Sequence, residues 1–354
     1  MTDKVAELYL FNPRVKKTWQ TFLTKKGIPV FSDQEVDQID QTIGLFDEKN
    51  RLVGTGSIAG ETIKYIAVED EPNGPAGARF NQLVSSLEAS LAQSGHFHLF
   101  VFTKPTYEHS FAHVGFNTLA KTKQGLILEK GTPNIQSFRE QLPKKPNTAK
   151  RVAAVVLNAN PFTKGHRYLV EQAAKENDWV YVFVVNQDVS LFTTKERLAL
   201  VERGLSDVKN VCVANGGDYM VSYLSFPAYF IKDHDRAISY QTTLDAELFK
   251  EQIAGPLGIQ VRYVGTEPDS PTTKRYNEAL QAVLPKEVLV KEVPRLTQAD
   301  GKQAVSASSV RQAIKDNQFS SIVALVPKTT AHFINEHWQT LRGKMMKGQN
   351  QHAD

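Results

Sequence analysis

The sequence predicts an α/β protein of two domains, an α+β domain followed by a doubly wound parallel sheet, and three observations carry that expectation. The chain is 354 residues long, more than a single hydrophobic core usually serves. Its texture changes once, near residues 139–151, where Pro, Lys and polar residues replace apolar periodicity. Beyond that point strand-length apolar runs alternate with segments of helical spacing, as in a parallel sheet covered by helices on both faces. The first domain is therefore expected over 1–140, a linker over 141–150 and the second domain over 151–354.

In the first domain, residues 42–68 alternate like two or three strands joined by turns, with Asp47 to Asn50 as the first hairpin signal. Apolar residues then recur at helical spacing over 78–95, ending at Gly95, before a strand at 98–104 and a short helix and turn at 106–116. After the linker the expected order is strand 151–158, helix from about Gly165, strand 179–186, helix 194–206 and strand 210–215. Helix 241–258, strand 261–266, helix 274–285, strand 287–294 and helix 306–317 complete it. Such sheets bind ligands at the carboxyl ends of their strands, where the chain order switches. The polar tail from Arg342 is expected to fray.

Composition narrows the function classes. With 41% hydrophobic and 23% charged residues the chain has a globular profile, and no apolar run is long enough to cross a bilayer. The first ten residues lack the basic start and apolar core of a signal peptide, so a cytoplasmic location and no membrane partner are expected. One cysteine, Cys212, excludes an internal disulfide and a cysteine metal cage, and its apolar strand argues against a nucleophile. A net charge of +4 without a dense basic run argues against nucleic acid and leaves small anions open.

The stretch "LNANPFTKGHRYLVEQAA", 157–174, empties a buried strand into Asn, Pro, Thr, Gly and His before a helix. The free N–H groups and positive dipole end of that helix face the crevice, a site for an anion. Gly165 lets a phosphate approach the backbone, Thr163 and His166 place a hydroxyl and an imidazole beside it, and Lys164 or Arg167 adds charge. From these residues alone, a plain strand-to-helix turn with Thr163 as a cap and a solvated His166 explains the stretch equally well. A second helix start, "VSASSVR" at 305–311, offers the hydroxyls of Ser306, Ser308 and Ser309 and the fork-shaped cation of Arg311; its alternative is a serine-capped surface helix.

The "NPFT" and "TKGH" residues resemble the (H/T)xGH signature of the nucleotidyltransferase superfamily, and "VSASSVR" resembles its ISSTxxR element, with Val305 for isoleucine and Ser308 for threonine. The stretches at 216–233, 241–280 and 293–311 together resemble the citrate lyase ligase family over nearly the whole chain. That family pairs a Rossmann-like nucleotidyltransferase domain with an N-terminal module resembling an N-acetyltransferase, which 1–140 fit. In that module, residues 71–84 resemble the loop that wraps the pyrophosphate of coenzyme A. Ala76 at a usual glycine position and Pro75, which has no N–H, weaken this cradle and argue against acetyl transfer there.

The resemblance implies an enzyme that activates acetate with ATP and Mg2+ to acetyl-adenylate, releases pyrophosphate and acetylates the thiol of the prosthetic group on the citrate lyase acyl carrier protein, freeing AMP. Thr163, Lys164 and His166 are then expected at the reacting phosphate. Asn158, Asn160, Phe162, Gly165, Ser306, Ser308, Ser309 and Arg311 are expected around the nucleotide, and Gly265, Thr266 and Glu267 at adenine or ribose. A plain strand-end turn is the alternative for the last three. Lys232 is expected to offset the acetate charge in a pocket walled by Tyr219, Phe226 and Tyr229, against an equal expectation of core aromatics with a solvated lysine. No protein ligand to the metal is assigned. Two rivals remain: an adenylyltransferase acting on phosphopantetheine or nicotinamide mononucleotide, and a non-catalytic sensor of nucleotide or acyl-coenzyme A.

Overall fold

A computed structural model describes residues 3–29, 31, 33–69, 77–186, 190–220, 226–231, 233–267, 271–285, 287–297 and 303–347. The chain opens with β1 (Lys4–Glu7), α1 (Pro13–Lys25) and α2 (Asp33–Asp37), which precede the first strand expected from periodicity. The alternating segment becomes three strands, β2 (Gln41–Phe46), β3 (Leu52–Ala59) and β4 (Thr62–Val68). Helix α3 (Ala78–Gln93), β5 (His98–Thr103), α4 (Glu108–His113), β6 (Asn117–Lys121), β7 (Leu126–Gly131) and α5 (Ile135–Gln141) follow. The seven strands form one sheet in the order β1-β2-β3-β4-β5-β7-β6. Its pairs are antiparallel except β4 with β5, which are parallel at Thr62–Phe100 and Ile63–Val101. Helix α3 covers this sheet because Phe80, Leu83, Val84, Leu87 and Leu91 repeat every three or four residues and all face inward.

The second half contains β8 (Val152–Leu157), α6 (Lys164–Glu176), β9 (Trp179–Val184), α7 (Thr194–Gly204), β10 (Val211–Asn215), α8 (His234–Leu248) and the short α9 (Gly255–Leu257). Then come β11 (Val261–Gly265), α10 (Pro271–Val283), β12 (Leu289–Val293), α11 (Ala307–Lys315), α12 (Phe319–Leu325), α13 (Lys328–Glu336) and α14 (Trp338–Met346). Its strands form a wholly parallel five-stranded sheet, β10-β9-β8-β11-β12. The α/β class with a doubly wound sheet is thus as expected. The chain leaves β8 for β9 and β10 on one side and then places β11 and β12 on the other, so the order switches between β8 and β11. Central β8 is buried at Val152, Ala153, Ala154, Val155 and Leu157, as a strand covered on both faces must be.

The chain divides into two compact units, residues 1–140 with 223–248, and residues 141–222 with 249–354. The cut near 140 lies where composition changes, but two features differ from a single boundary. The expected linker, 141–150, is packed into the second unit: Leu142 and Ala149 are buried, and the Tyr181 hydroxyl donates to the Pro143 carbonyl (3.0 Å). The helical pattern expected over 241–258 starts earlier, at His234, and continues beyond Leu248 as a wide turn at Phe249–Ala254, so the unit boundary falls inside it. Periodicity shows which face a helix buries, and it does not show which of two cores receives that face.

The C-terminal expectation is also corrected. Residues 342–346 belong to α14, anchored by buried Leu341, instead of a frayed tail, and the rest of that tail, 348–354, lies outside the described residues. Cys212 is buried in β10, and burial pushes its thiol up to about 11, which keeps it protonated and unreactive at neutral pH.

Candidate active site

The end of β8 and the start of α6 are held by bonds the residue order itself supplies. Thr163 is the N-cap of α6, and its Oγ1 accepts from the His166 backbone N–H (3.3 Å). In return the Thr163 backbone N–H donates to His166 Nδ1 (3.1 Å). This is a capping box in which histidine takes the place usually held by glutamate. The reciprocal bond settles the imidazole tautomer: Nδ1 accepts, so the proton of the neutral ring sits on Nε2 and makes it a donor. Burial lowers the His166 pKa first, and the positive charges of Arg295 and Arg311 lower it further, to about 4 from an ordinary 6.5. At neutral pH the ring is an uncharged N–H donor beside the amide end of a helix.

The ring is held in plane by Phe162, whose centroid lies 6.0 Å away at 13°. Phe162 is wholly buried and rests on Gly204, where a Cβ would come within 2.5 Å of it. It was expected around the nucleotide and instead belongs to the core, orienting His166 from behind. Asn158 is likewise committed: its carbonyl (2.7 Å) and Oδ1 (3.2 Å) both accept from Arg197. Asn160 is buried, its Oδ1 accepts from the Phe192 N–H (3.2 Å), and its Nδ2 has no hydrogen-bond partner among the described residues. A buried amide donor left over beside the turn fits an anionic or ribose-bearing ligand.

The second motif meets the first. Ser306 caps α11, accepting from the Ser309 N–H (3.1 Å) and lying 2.8 Å from the Ser309 hydroxyl. Arg311 is buried and donates across the crevice to the Asn160 carbonyl (2.8 Å), with a second N–H on Ser308 Oγ (3.3 Å). Gly165 touches the segment ahead of α11: a Cβ there would lie 2.8 Å from the Val305 carbonyl oxygen. Two helix N-termini, the hydroxyls of Thr163 and Ser308, a neutral imidazole donor and a guanidinium therefore share one end of the sheet. This donor set suits a polyphosphate.

Not every expected residue is part of it. The Lys164 ammonium donates to the carbonyls of Val323 (3.3 Å) and Ala324 (2.8 Å) at the end of α12, and so is turned away from a reacting phosphate. Arg167 is held by Glu171, Asp207 and the Gly204 carbonyl. Phe226 and Tyr229 lie in the first unit, where the Tyr229 hydroxyl donates to the Phe102 carbonyl (3.0 Å) and the Tyr229 ring packs 4.2 Å from that of Tyr65. Tyr219 is buried in the second unit. Lys232 lies outside the described residues.

Residues 152–334 match the family described as the citrate lyase ligase C-terminal domain. The chain belongs to the citrate lyase ligase family. A citrate (pro-3S)-lyase ligase of Escherichia coli K12 is 35% identical over 309 residues, covering 84% of this chain and 86% of that protein. One from Haemophilus influenzae is 32% identical over 325 residues, covering 90% and 94%. A phosphopantetheine adenylyltransferase of Corynebacterium diphtheriae is 28% identical over 114 residues, 31% of this chain and 70% of that protein.

Two residues of the citrate lyase ligase domain join the site without having been singled out from the sequence. Arg197 is fully buried on α7 and donates to the carbonyls of Asn158, Val185 (2.8 Å) and Phe192 (3.2 Å), tying together the ends of β8 and β9. A signal was present, since an arginine stands inside the apolar stripe Thr194, Leu200, Val201 and Gly204. Arg295 follows β12, donates through Nε to the Thr266 carbonyl (2.8 Å) and pairs with Glu267. The Gly265 carbonyl accepts from Asn277 (3.0 Å). Gly265, Thr266 and Glu267 thus end β11 at the crevice, and Arg295, which lowers the His166 pKa, is placed there with them.

The closeness of Gly165 to Val305 leads to a direct test. Gly165→Ala must push a backbone carbonyl aside, so we expect a loss of about 1–3 kcal/mol of stability and a rise in the KM for ATP of about tenfold or more, because the starts of α6 and α11 are forced apart. Thermal melting and steady-state kinetics of the variant measure both effects.

Proposed function

We propose that this chain is an ATP-dependent acetate ligase that acetylates the prosthetic-group thiol of the citrate lyase acyl carrier protein. The observation that supports this reading is the bond from Arg311 to the Asn160 carbonyl, which brings the starts of α6 and α11 to one end of the sheet. Family membership supports the choice of chemistry among nucleotidyltransferases.

In the first step an acetate oxygen attacks the α-phosphorus of ATP, the bond from that phosphorus to the bridging oxygen breaks, and pyrophosphate leaves with the bond electrons. The His166 Nε2–H and the amides opening α6 stabilise charge as it develops on the α-phosphate, while α11 and Arg311 receive the departing end. In the second step a thiolate attacks the acetyl carbonyl and AMP leaves. Mg2+ would accompany the triphosphate and neutralise its charge. Gly265, Thr266 and Glu267 would face the nucleoside, with Arg295 holding their backbone in place.

Incubation with ATP, Mg2+ and acetate, with and without deacetylated citrate lyase, tests the reading through pyrophosphate release. Acetate-dependent release supports it. Release only with phosphopantetheine or nicotinamide mononucleotide replaces it with an adenylyltransferase, and nucleotide binding without release replaces it with a sensor.

A further inference from the structure

We propose that the outward face of α1, together with Tyr9 and Phe11, is the docking surface for the acidic protein that carries the thiol acceptor. The identity of that partner rests on the function proposed above; the surface itself is argued from the first unit alone.

Helix α1 contains Arg14, Lys16, Lys17 and Lys25 and no acidic residue. Trp19, Phe22 and Leu23 fix its orientation by facing the core. Arg14, Lys17, Thr18, Thr21 and Lys25, spaced three, four, seven and eleven residues from the first, consequently form one exposed stripe. The stripe walls an open groove that also includes Arg51 and Glu69. Asp47 already neutralises Arg51. Arg14, Lys17 and Lys25 have no acidic partner among the described residues, and the Thr18 and Thr21 hydroxyls are spent on helix carbonyls. Three uncompensated cations on one rigid face are set to meet negative charge from outside.

A second observation is independent of charge. Phe11 is 85% exposed and Tyr9 54% exposed, with ring centroids 5.7 Å apart, directly before the Asn12 cap of α1. An exposed aromatic pair that shares a groove with Lys16 of α1 fits the usual anatomy of a protein interface, an apolar anchor beside a charged rim. A lipid surface is disfavoured because the apolar face of α1 is inside the core, whereas a membrane-lying helix presents that face outward. Nucleic acid is disfavoured by the near balance of 42 basic and 38 acidic residues over the whole chain. An acidic protein satisfies both features: its charge speeds the encounter, and Phe11 fixes the register.

The test uses the full chain carrying Arg14→Glu, Lys17→Glu and Lys25→Glu together, and separately Phe11→Ser. Each is expected to raise the KM for deacetylated citrate lyase by about tenfold or more at low salt, and the triple variant should lose the salt dependence of that KM. Acetate-dependent pyrophosphate release, with hydroxylamine trapping the acetyl group, should match the unmodified protein. Should the triple variant melt early, Lys17→Gln with Lys25→Gln is measured instead, with a rise of about threefold expected. An unchanged KM in these variants overturns the proposal, as does loss of binding only to anionic vesicles or RNA. Direct binding of the carrier protein, measured without turnover, separates a failed docking surface from a failed ligase assignment. If pyrophosphate release is absent but the variants still weaken carrier binding, the surface stands and the chemistry falls.

Discussion

Replacing His166 by alanine is expected to lower kcat about a hundredfold or more, because the lost Nε2–H donor acts on charge that exists only in the transition state, and to cost about 1–3 kcal/mol of stability from the Thr163 N–H left unpaired. With its pKa lowered to about 4, the imidazole is charged only well below neutrality. It therefore contributes as a neutral donor throughout the ordinary working range and supplies no acid limb there. His166→Asn should reduce kcat/KM by one constant factor between about pH 5.5 and 7.5, since kcat/KM reports groups of the free enzyme. A factor that changes tenfold across that window would show that the ring gains or loses a proton during turnover, and the donor role would be wrong.

Arg311→Met carries the second large effect. Its guanidinium is buried and supports the Asn160 carbonyl, so removal leaves that carbonyl short of a donor, at about 1–3 kcal/mol of stability. It also removes a cation from the crevice, and the KM for ATP should rise by about tenfold or more. Arg311→Lys should not restore it, because a single ammonium cannot span Asn160 and Ser308 as the fork does. An electrostatic readout accompanies the kinetics. Arg311 helps to hold the His166 pKa down, so its loss must move that pKa upward from about 4, and NMR titration of the ring would register the change. A pKa that stays in place would mean that the guanidinium does not act on His166.

Local chemistry explains what was legible in the chain beforehand. The Thr163 cap, the serine cap of α11 and the glycine at 165 are decided by residues within one helical turn, and both caps are present as the plainer readings expected. Thr163 is a helix cap because that same cap orients His166. Lys164, by contrast, stands inside the motif yet is claimed by carbonyls about 160 positions away, which no spacing rule could reveal.

Sequence by itself therefore determined the alternation of strands and helices, the doubly wound class and the two capped helix starts, since each depends on periodicity and capping over a few residues. Tertiary structure decided which of these parts meet. It joined Arg311 to Asn160 and pressed Gly165 against Val305. It buried Arg197 beneath the strand ends, moved Phe162 into the core and gave residues 223–248 to the first unit. The physical reason is range: hydrogen bonds within a turn are written in consecutive residues, whereas contacts between distant segments arise only when two faces compete for the same buried surface.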